Sequence, residues 1–261
     1  MILDKSVAAV VTGAASGLGA ATARALAAKG VKVAVFDLND AEGNKVAQEI
    51  GGHFFMCDVT NQASVGAALG GARKIQGQER ILVNCAGIAT GKRTVRRDRE
   101  TGVIEPHDIA SFKKCVEVNL IGTFTMITKC AAGMMTLNPV NSDGERGAIV
   151  NTSSVAAEDG QMGQVAYSAS KGGVLAMTLP VARDLSRDGI RVVAILPGLF
   201  STPMFDGLPD EARNALAAQV PFPSRLGNPE EYASLAIHAC ENSMLNGAAI
   251  RLDGAIRLAP R

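Results

Sequence analysis

The sequence predicts an α/β fold: a doubly wound, mostly parallel sheet with helices on both faces. Short apolar runs alternate with longer helical stretches along the chain, the order that builds successive βαβ units. Runs such as "VAAVVT" and "RVVAIL" are almost continuously apolar rather than apolar at every second position, which marks strands covered on both faces. The Gly-rich turn "TGAASGLG" then joins the first such run to the first helix. The chain has 261 residues, a length at which α/β folds often stay undivided, so one domain over 1–261 is expected.

Taken in order, "VAAVVT" (7–12) is the first strand and "LGAATARALAAKG" an Ala-rich helix closed by Gly30. "KVAVFD" (32–37) is the second strand, and "DAEGNKVAQEIGG" a helix with an Asp/Asn start and a Gly stop. "HFFMCDV", "NQASVGAALGGARKI" and "RILVNCAG" read as strand, helix and strand. Long helical stretches over 108–137, 167–187 and 229–242 precede the strands "GAIVNTS" (147–153), "RVVAIL" (191–196) and "AAIRLDG" (248–254). Two stretches interrupt the rhythm, basic "IATGKRTVRRDRETGVIEPHD" (88–108) and polar "NPVNSDGERG" (138–147). Both are expected as surface insertions on one domain.

Composition excludes several classes of function. A formal net charge of +1 gives no global field for nucleic acid or membrane. Five cysteines, scattered and never in a CxxC pair, argue against a disulfide framework and a zinc site. Buried free thiols in a reducing compartment are expected instead. His53, His107 and His238 are too far apart for an HExxH-type site, so no metal is expected. No basic leader precedes the first strand, and "GGVLAMTLPVA", broken by Pro180, falls short of the ~20 apolar residues a membrane span needs. A cytoplasmic location is expected.

The chemistry-bearing residues lie at predicted strand ends. In "TGAASGLG" (Thr12, Gly13, Ser16, Gly17, Leu18, Gly19), glycines would let the backbone approach a pyrophosphate, which the helix N-terminus then favours. An ordinary Gly-rich turn is the plain alternative; the strand-turn-helix context favours dinucleotide binding. Asp37 ends the second strand about 20 residues further on, where a carboxylate accepts ribose hydroxyls and repels a 2′-phosphate. Its alternative is a helix cap, a task open also to Asn39 and Asp40. With Ser16 in place of a basic residue, NAD is expected over NADP. Asp58 and Val59 end the third strand, and Asn84, Cys85, Ala86 and Gly87 the fourth, along the same rim. In "VAYSASKGG", Tyr167 and Lys171 stand four residues apart. On a helix that spacing places them on one face, either sharing a task or sharing a solvated surface.

These motifs, with "NCAG", Asn119 in "VEVNLIGTF", Ser154 in "NTSSVA" and "PGLFSTP", stand in the order and spacing of the short-chain dehydrogenase/reductase family. The chain resembles that family over essentially its whole length. One departure is Cys85, where the family commonly carries a second Asn in Asn-Asn-Ala-Gly. The string "SVAAEDGQMGQVAYSASKGG", with "LPVARDL" and "PGLFSTPM", is similar to the family's type-2 3-hydroxyacyl-CoA dehydrogenases.

The resemblance implies a Rossmann fold and NAD-dependent interconversion of a secondary alcohol and a ketone, (S)-3-hydroxyacyl-CoA and 3-oxoacyl-CoA being preferred. A hydroxysteroid or other lipophilic alcohol is the alternative substrate. A cofactor-binding scaffold in a protein or RNA complex is the alternative role. Ser154, Tyr167 and Lys171 would be catalytic, with Asn119 completing a proton relay. A free Tyr has a pKa near 10, so Lys171 one turn away would favour the phenolate, hold the nicotinamide ribose, and leave Ser154 to orient the substrate oxygen. Pro197, Gly198, Phe200 and Thr202 join the rim residues around the cofactor. Gln164, Leu199, Met204 and Phe205 join Ser154 and Tyr167 around the substrate, although plain core packing also suits that apolar segment.

Two further expectations concern partners. The C-terminal "AAIRLDGAIRLAPR" is apolar enough to pack against a second copy, and family members with such a C-terminus usually form tetramers, so a homotetramer is expected. Lys92, Arg93, Arg96, Arg97 and Arg99 leave the catalytic rim in one loop, where they would meet CoA phosphates or simply face solvent. Nucleic acid is not expected, because the whole chain is nearly neutral.

Overall fold

The computed structural model describes residues 1–203 and 209–260. All five residues of β1 (Ala8–Thr12) are buried, so this strand needs a neighbour on each edge and a helical layer on each face. It pairs in parallel with β2 (Lys32–Asp37) on one side and β4 (Ile81–Asn84) on the other. β3 (His53–Met56) extends the first edge; β7 (Gly147–Thr152), β8 (Ile190–Pro197) and β9 (Ala249–Leu252) extend the second. The result is a seven-stranded parallel sheet in the order β3-β2-β1-β4-β7-β8-β9. β5 (Val95–Arg97) and β6 (Ile104–Pro106) form a separate antiparallel hairpin.

Alternate residues of each strand feed two cores, as the two-residue strand period requires. Ala9, Val11, Val35 and Val83 pack on one face with side chains of α1 (Gly17–Ala28), α2 (Asp40–Glu49) and α8 (Pro229–Glu241). Val10, Phe36, Leu82 and Ile149 pack on the other with α3 (Gln62–Gln76), α5 (Thr123–Met134) and α6 (Val165–Asp184). The chain runs outward from β1 to β3 and then returns to the other side of β1 as β4. That reversal opens a crevice at the strands' carboxyl ends, where such sheets bind ligands.

The structure departs from the sequence reading in three places. The basic stretch 88–108 is not all loop but carries the β5–β6 hairpin. The helix expected over 108–137 is divided into α4 (Ile109–Val116), a π-helical turn (Glu117–Gly122) and α5. That wider turn buries both Asn119 and Gly122, and a Cβ on Gly122 would stand 2.7 Å from Val59 Cγ2. As the helical stretch over 167–187 implies, Pro180 lies inside α6 without ending it; burial of Val174, Thr178, Val181 and Ala182 holds the helix across the missing N–H. The polar stretch 138–147 is not wholly surface, because Glu145 turns inward to Arg191. Between β8 and α8 lies α7 (Asp210–Ala217), which borders the crevice through Leu216.

Candidate active site

The Gly-rich turn is shaped by close approach. A Cβ on Gly13, at φ +63°, would lie 2.7 Å from the Ala86 nitrogen, and one on Gly19 would run into the Gly13 carbonyl oxygen. Thr12 Oγ1 accepts from the backbone N–H of Cys85 and of Ala86, at 3.1 Å each, and so joins the ends of β1 and β4 beneath the turn. Ser16 caps α1 with extended backbone, but its hydroxyl makes no cap bond and the first turn carries no acidic side chain. An uncapped helix N-terminus behind a Gly-rich turn is a ready anion site, so these residues fit a dinucleotide pyrophosphate.

Asn39, not Asp37, caps α2. The Asp37 carboxylate instead accepts from Ala15 N at 2.9 Å and Asn39 N at 2.9 Å, which fixes it at the rim beside the glycine turn. A cleft of about 660 Å³ runs from there along the strand ends. It is lined by Gly13, Ser16, Gly17, Leu18, Gly19, Asp37, Asp58, Val59, Cys85, Ala86, Gly87 and Thr202, all expected from sequence. Leu38, Cys57, Ile88, Lys114 and Val118 also line it and were not expected; an apolar residue directly after Asp37 at a strand end was the signal available for Leu38. Asn84 does not line the cleft. It is buried between strands, its Nδ2 donating to Asn151 Oδ1 at 2.9 Å. Thr12 is likewise buried and supports the turn from below.

A second pocket of about 390 Å³ shares Leu18, Ala89 and Thr202 with the cleft. It gathers the expected Ser154, Gln164, Tyr167, Pro197, Gly198, Leu199, Phe200 and Thr202. Thr152, Val155, Gln161, Leu216 and Leu258 also line it and were missed; Thr152, Val155 and Gln161 lie within three residues of expected positions, whereas Leu216 and Leu258 come from segments distant in sequence. Met204 and Phe205 lie outside the described residues.

Tyr167 and Lys171 share one face of the first turns of α6, with Lys171 Nζ 5.9 Å from the ring centroid. Lys171 Nζ donates to the Thr152 carbonyl at 2.8 Å. Ser154 caps the short 3-10 turn after β7, and its Oγ accepts from Ala156 N at 3.1 Å. Burial pushes the Tyr167 phenol above its ordinary pKa, and a hydrogen bond with Ser154 opposes that push. The Lys171 ammonium, whose burial pulls its pKa down to about 8, is not among the groups that shift the phenol. Asn119 holds the Ile88 backbone from both sides, accepting from Ile88 N and donating to Ile88 O at 2.8 Å each. Its Nδ2 also donates to Ser170 Oγ at 3.0 Å, which joins the π-helical turn to α6.

A parallel sheet with this strand order, a glycine turn at its reversal point and a Ser/Tyr/Lys set at the adjoining pocket define a nucleotide-dependent oxidoreductase. The family model described as short chain dehydrogenase matches residues 7–213, and the chain belongs to that family. Membership implies a nicotinamide cofactor. The chain is 50% identical to 3-hydroxyacyl-CoA dehydrogenase type-2 of Rattus norvegicus, an alignment covering 98% of this chain and 97% of the relative. Identity to the Drosophila melanogaster protein of that name is 49%, covering 98% and 99%. A crystal structure of 3-hydroxyacyl-CoA dehydrogenase type-2 from Mycobacterium avium superposes with a TM-score of 0.92 at 40% identity, covering 98% of each chain. None of the helices among the described residues is long and apolar enough to cross a membrane.

Proposed function

We propose that this enzyme interconverts (S)-3-hydroxyacyl-CoA and 3-oxoacyl-CoA with NAD. One observation carries the reading: a cofactor-shaped cleft opens into an apolar pocket, with Ser154 and Tyr167 in the wall of that pocket. The names of the relatives favour a 3-hydroxyacyl-CoA over other secondary alcohols. Bound nicotinamide supplies the hydride acceptor. Ser154 hydrogen-bonds the substrate oxygen, and Tyr167 Oη takes the hydroxyl proton as the carbonyl forms. Lys171, beside the ring, favours the phenolate whenever it is charged. Asn119 acts by position, since its amide is engaged with Ile88 and Ser170. Asp37 at the rim favours a ribose diol over a 2′-phosphate.

The basic hairpin supports the CoA end. Lys92, Arg93, Arg96, Arg97 and Arg99 line a cavity of about 850 Å³ that shares Gly91 with the substrate pocket. CoA phosphates held there would leave the acyl end free to reach Tyr167, a remote anchor of the kind that positions a reacting carbon. Five free cysteines suit the reducing cytoplasm, and exposed apolar side chains on the helices, Ile121, Phe124, Val165 and Leu179, suit assembly as a homotetramer. A panel of 3-hydroxyacyl-CoA esters and hydroxysteroids, each with NAD and NADP, tests the reading. A clear preference for an acyl-CoA with NAD is expected; faster turnover of steroids, or equal efficiency with NADP, overturns it.

A further inference from the structure

The chain has two tyrosines. The second, Tyr232 on α8, is fully buried, and its hydroxyl reaches beneath the carboxyl ends of β4 and β7. There it lies 2.6 Å from Thr152 Oγ1. The Thr152 hydroxyl donates to Cys85 Sγ at 3.5 Å, and the Cys85 thiol donates to Tyr232 Oη at 3.7 Å. With those two hydrogens assigned, the short contact must be Tyr232 donating to Thr152. Each of the three groups then donates once and accepts once, so the buried ring is closed and fully satisfied. The same residue, Thr152, presents its carbonyl to Lys171 Nζ.

We propose that this Tyr232–Thr152–Cys85 ring is a positioning device for Lys171, holding the Thr152 carbonyl that anchors its ammonium. Cys85 occupies the place where the family commonly carries Asn. A thiol supplies the one weak donor that the ring has room for, whereas an amide would bring two donors and a further acceptor into a closed circuit. Burial holds the Tyr232 phenol and the Cys85 thiol above their ordinary pKa values, so both keep the hydrogens that the ring uses. Tyr232 touches neither cleft nor pocket, and its effect passes through Thr152. The inference rests on the reading of Tyr167 and Lys171 as the catalytic pair.

The test measures reduction of a short 3-oxoacyl-CoA by NADH in the full-length protein, at pH values either side of the Lys171 pKa of about 8. In Tyr232→Phe, kcat should fall by roughly 10- to 100-fold, the scale of a small misplacement of catalytic groups, while KM stays within about twofold. The inflection assigned to Lys171 should move to lower pH, because a poorly placed carbonyl favours the charged amine less. Thr152→Val should reproduce both effects, and Thr152→Ser, which keeps the hydroxyl, should restore them. Tyr167→Phe serves as the reference. If it retains turnover, the reading of the site fails. If it is inactive while folded Tyr232→Phe keeps the wild-type kcat and pH profile, the ring proposal alone fails. Should Tyr232→Phe not fold, the Thr152 pair decides: equal behaviour of Val and Ser overturns the proposal.

Discussion

If Tyr167 is the base, as proposed, it must lose a proton from a place that favours keeping it. Its phenol is raised by burial, and the hydrogen bond with Ser154 only partly offsets that. Burial also pulls the pKa of Lys171 down to about 8, so a substantial fraction is neutral at mildly alkaline pH. Tyr167→Phe keeps the ring and removes the acceptor. Turnover should fall by roughly 10²–10⁴, the usual contribution of a general base, while NADH binding, followed by fluorescence titration, stays near wild type. Residual turnover close to wild type would show that another group takes the proton.

Two elements carry expectations of their own. In and beside the β5–β6 hairpin, Lys92 pairs with Asp108 and Arg96 with Asp98, so of this segment's five cations Arg93, Arg97 and Arg99 have no carboxylate partner among the described residues. Replacing Arg97 and Arg99 with Gln should raise KM for a 3-hydroxyacyl-CoA and leave KM for an uncharged alcohol unchanged. The difference should shrink in high salt, where the Debye length falls to about 3 Å at 1 M. An equal change on both substrates would remove CoA from the hairpin. The second element is the junction of the 138–147 segment with β8. Glu145 Oε1 accepts from Arg191 Nε and Nη2 at 2.9 and 2.8 Å, and its other oxygen lies 3.0 Å from the Met1 ammonium. Arg191 also donates to the carbonyls of Ala239 and Cys240 in the last turn of α8. Arg191→Met would leave the buried carboxylate with only the Met1 ammonium and the Asn141 amide as partners, at a cost of up to about 3–5 kcal/mol, lowering Tm by up to roughly 10 °C. Burial raises the Glu145 pKa, but Arg191 and the ammonium more than offset it, so the folded value lies below the ordinary one. The pair therefore stabilises above the unfolded pKa of ~4.3 and is lost as pH falls through the folded value. Thermal melts of both proteins should converge toward acid pH, and a constant gap would contradict this account.

At the scale of the molecule, the two faces of the sheet differ in what they leave outside. The π-helical turn, α5 and α6 expose Ile121, Phe124, Val165 and Leu179, side chains that a lone chain would keep in water. Light scattering at micromolar concentration should give about four times the chain mass of 27.0 kDa. A monomer mass would count against the tetramer.

The sequence by itself determined the alternation of strand and helix, the glycine turn, Asp37 at a strand end, and the one-turn spacing of Tyr167 and Lys171. Each depends on neighbours within a few residues, where backbone period and turn chemistry act directly. Tertiary structure decided the rest. Thr152, Cys85 and Tyr232 are scattered along the chain and meet only because β4 and β7 are adjacent and α8 covers their ends. Leu216 and Leu258 enter the apolar pocket beside Tyr167 from α7 and the C-terminal segment. Glu145 reads as one more charge in a polar loop until Arg191 draws it inward. Burial and pairing of this kind depend on distances across the fold, which no local pattern of residue types encodes.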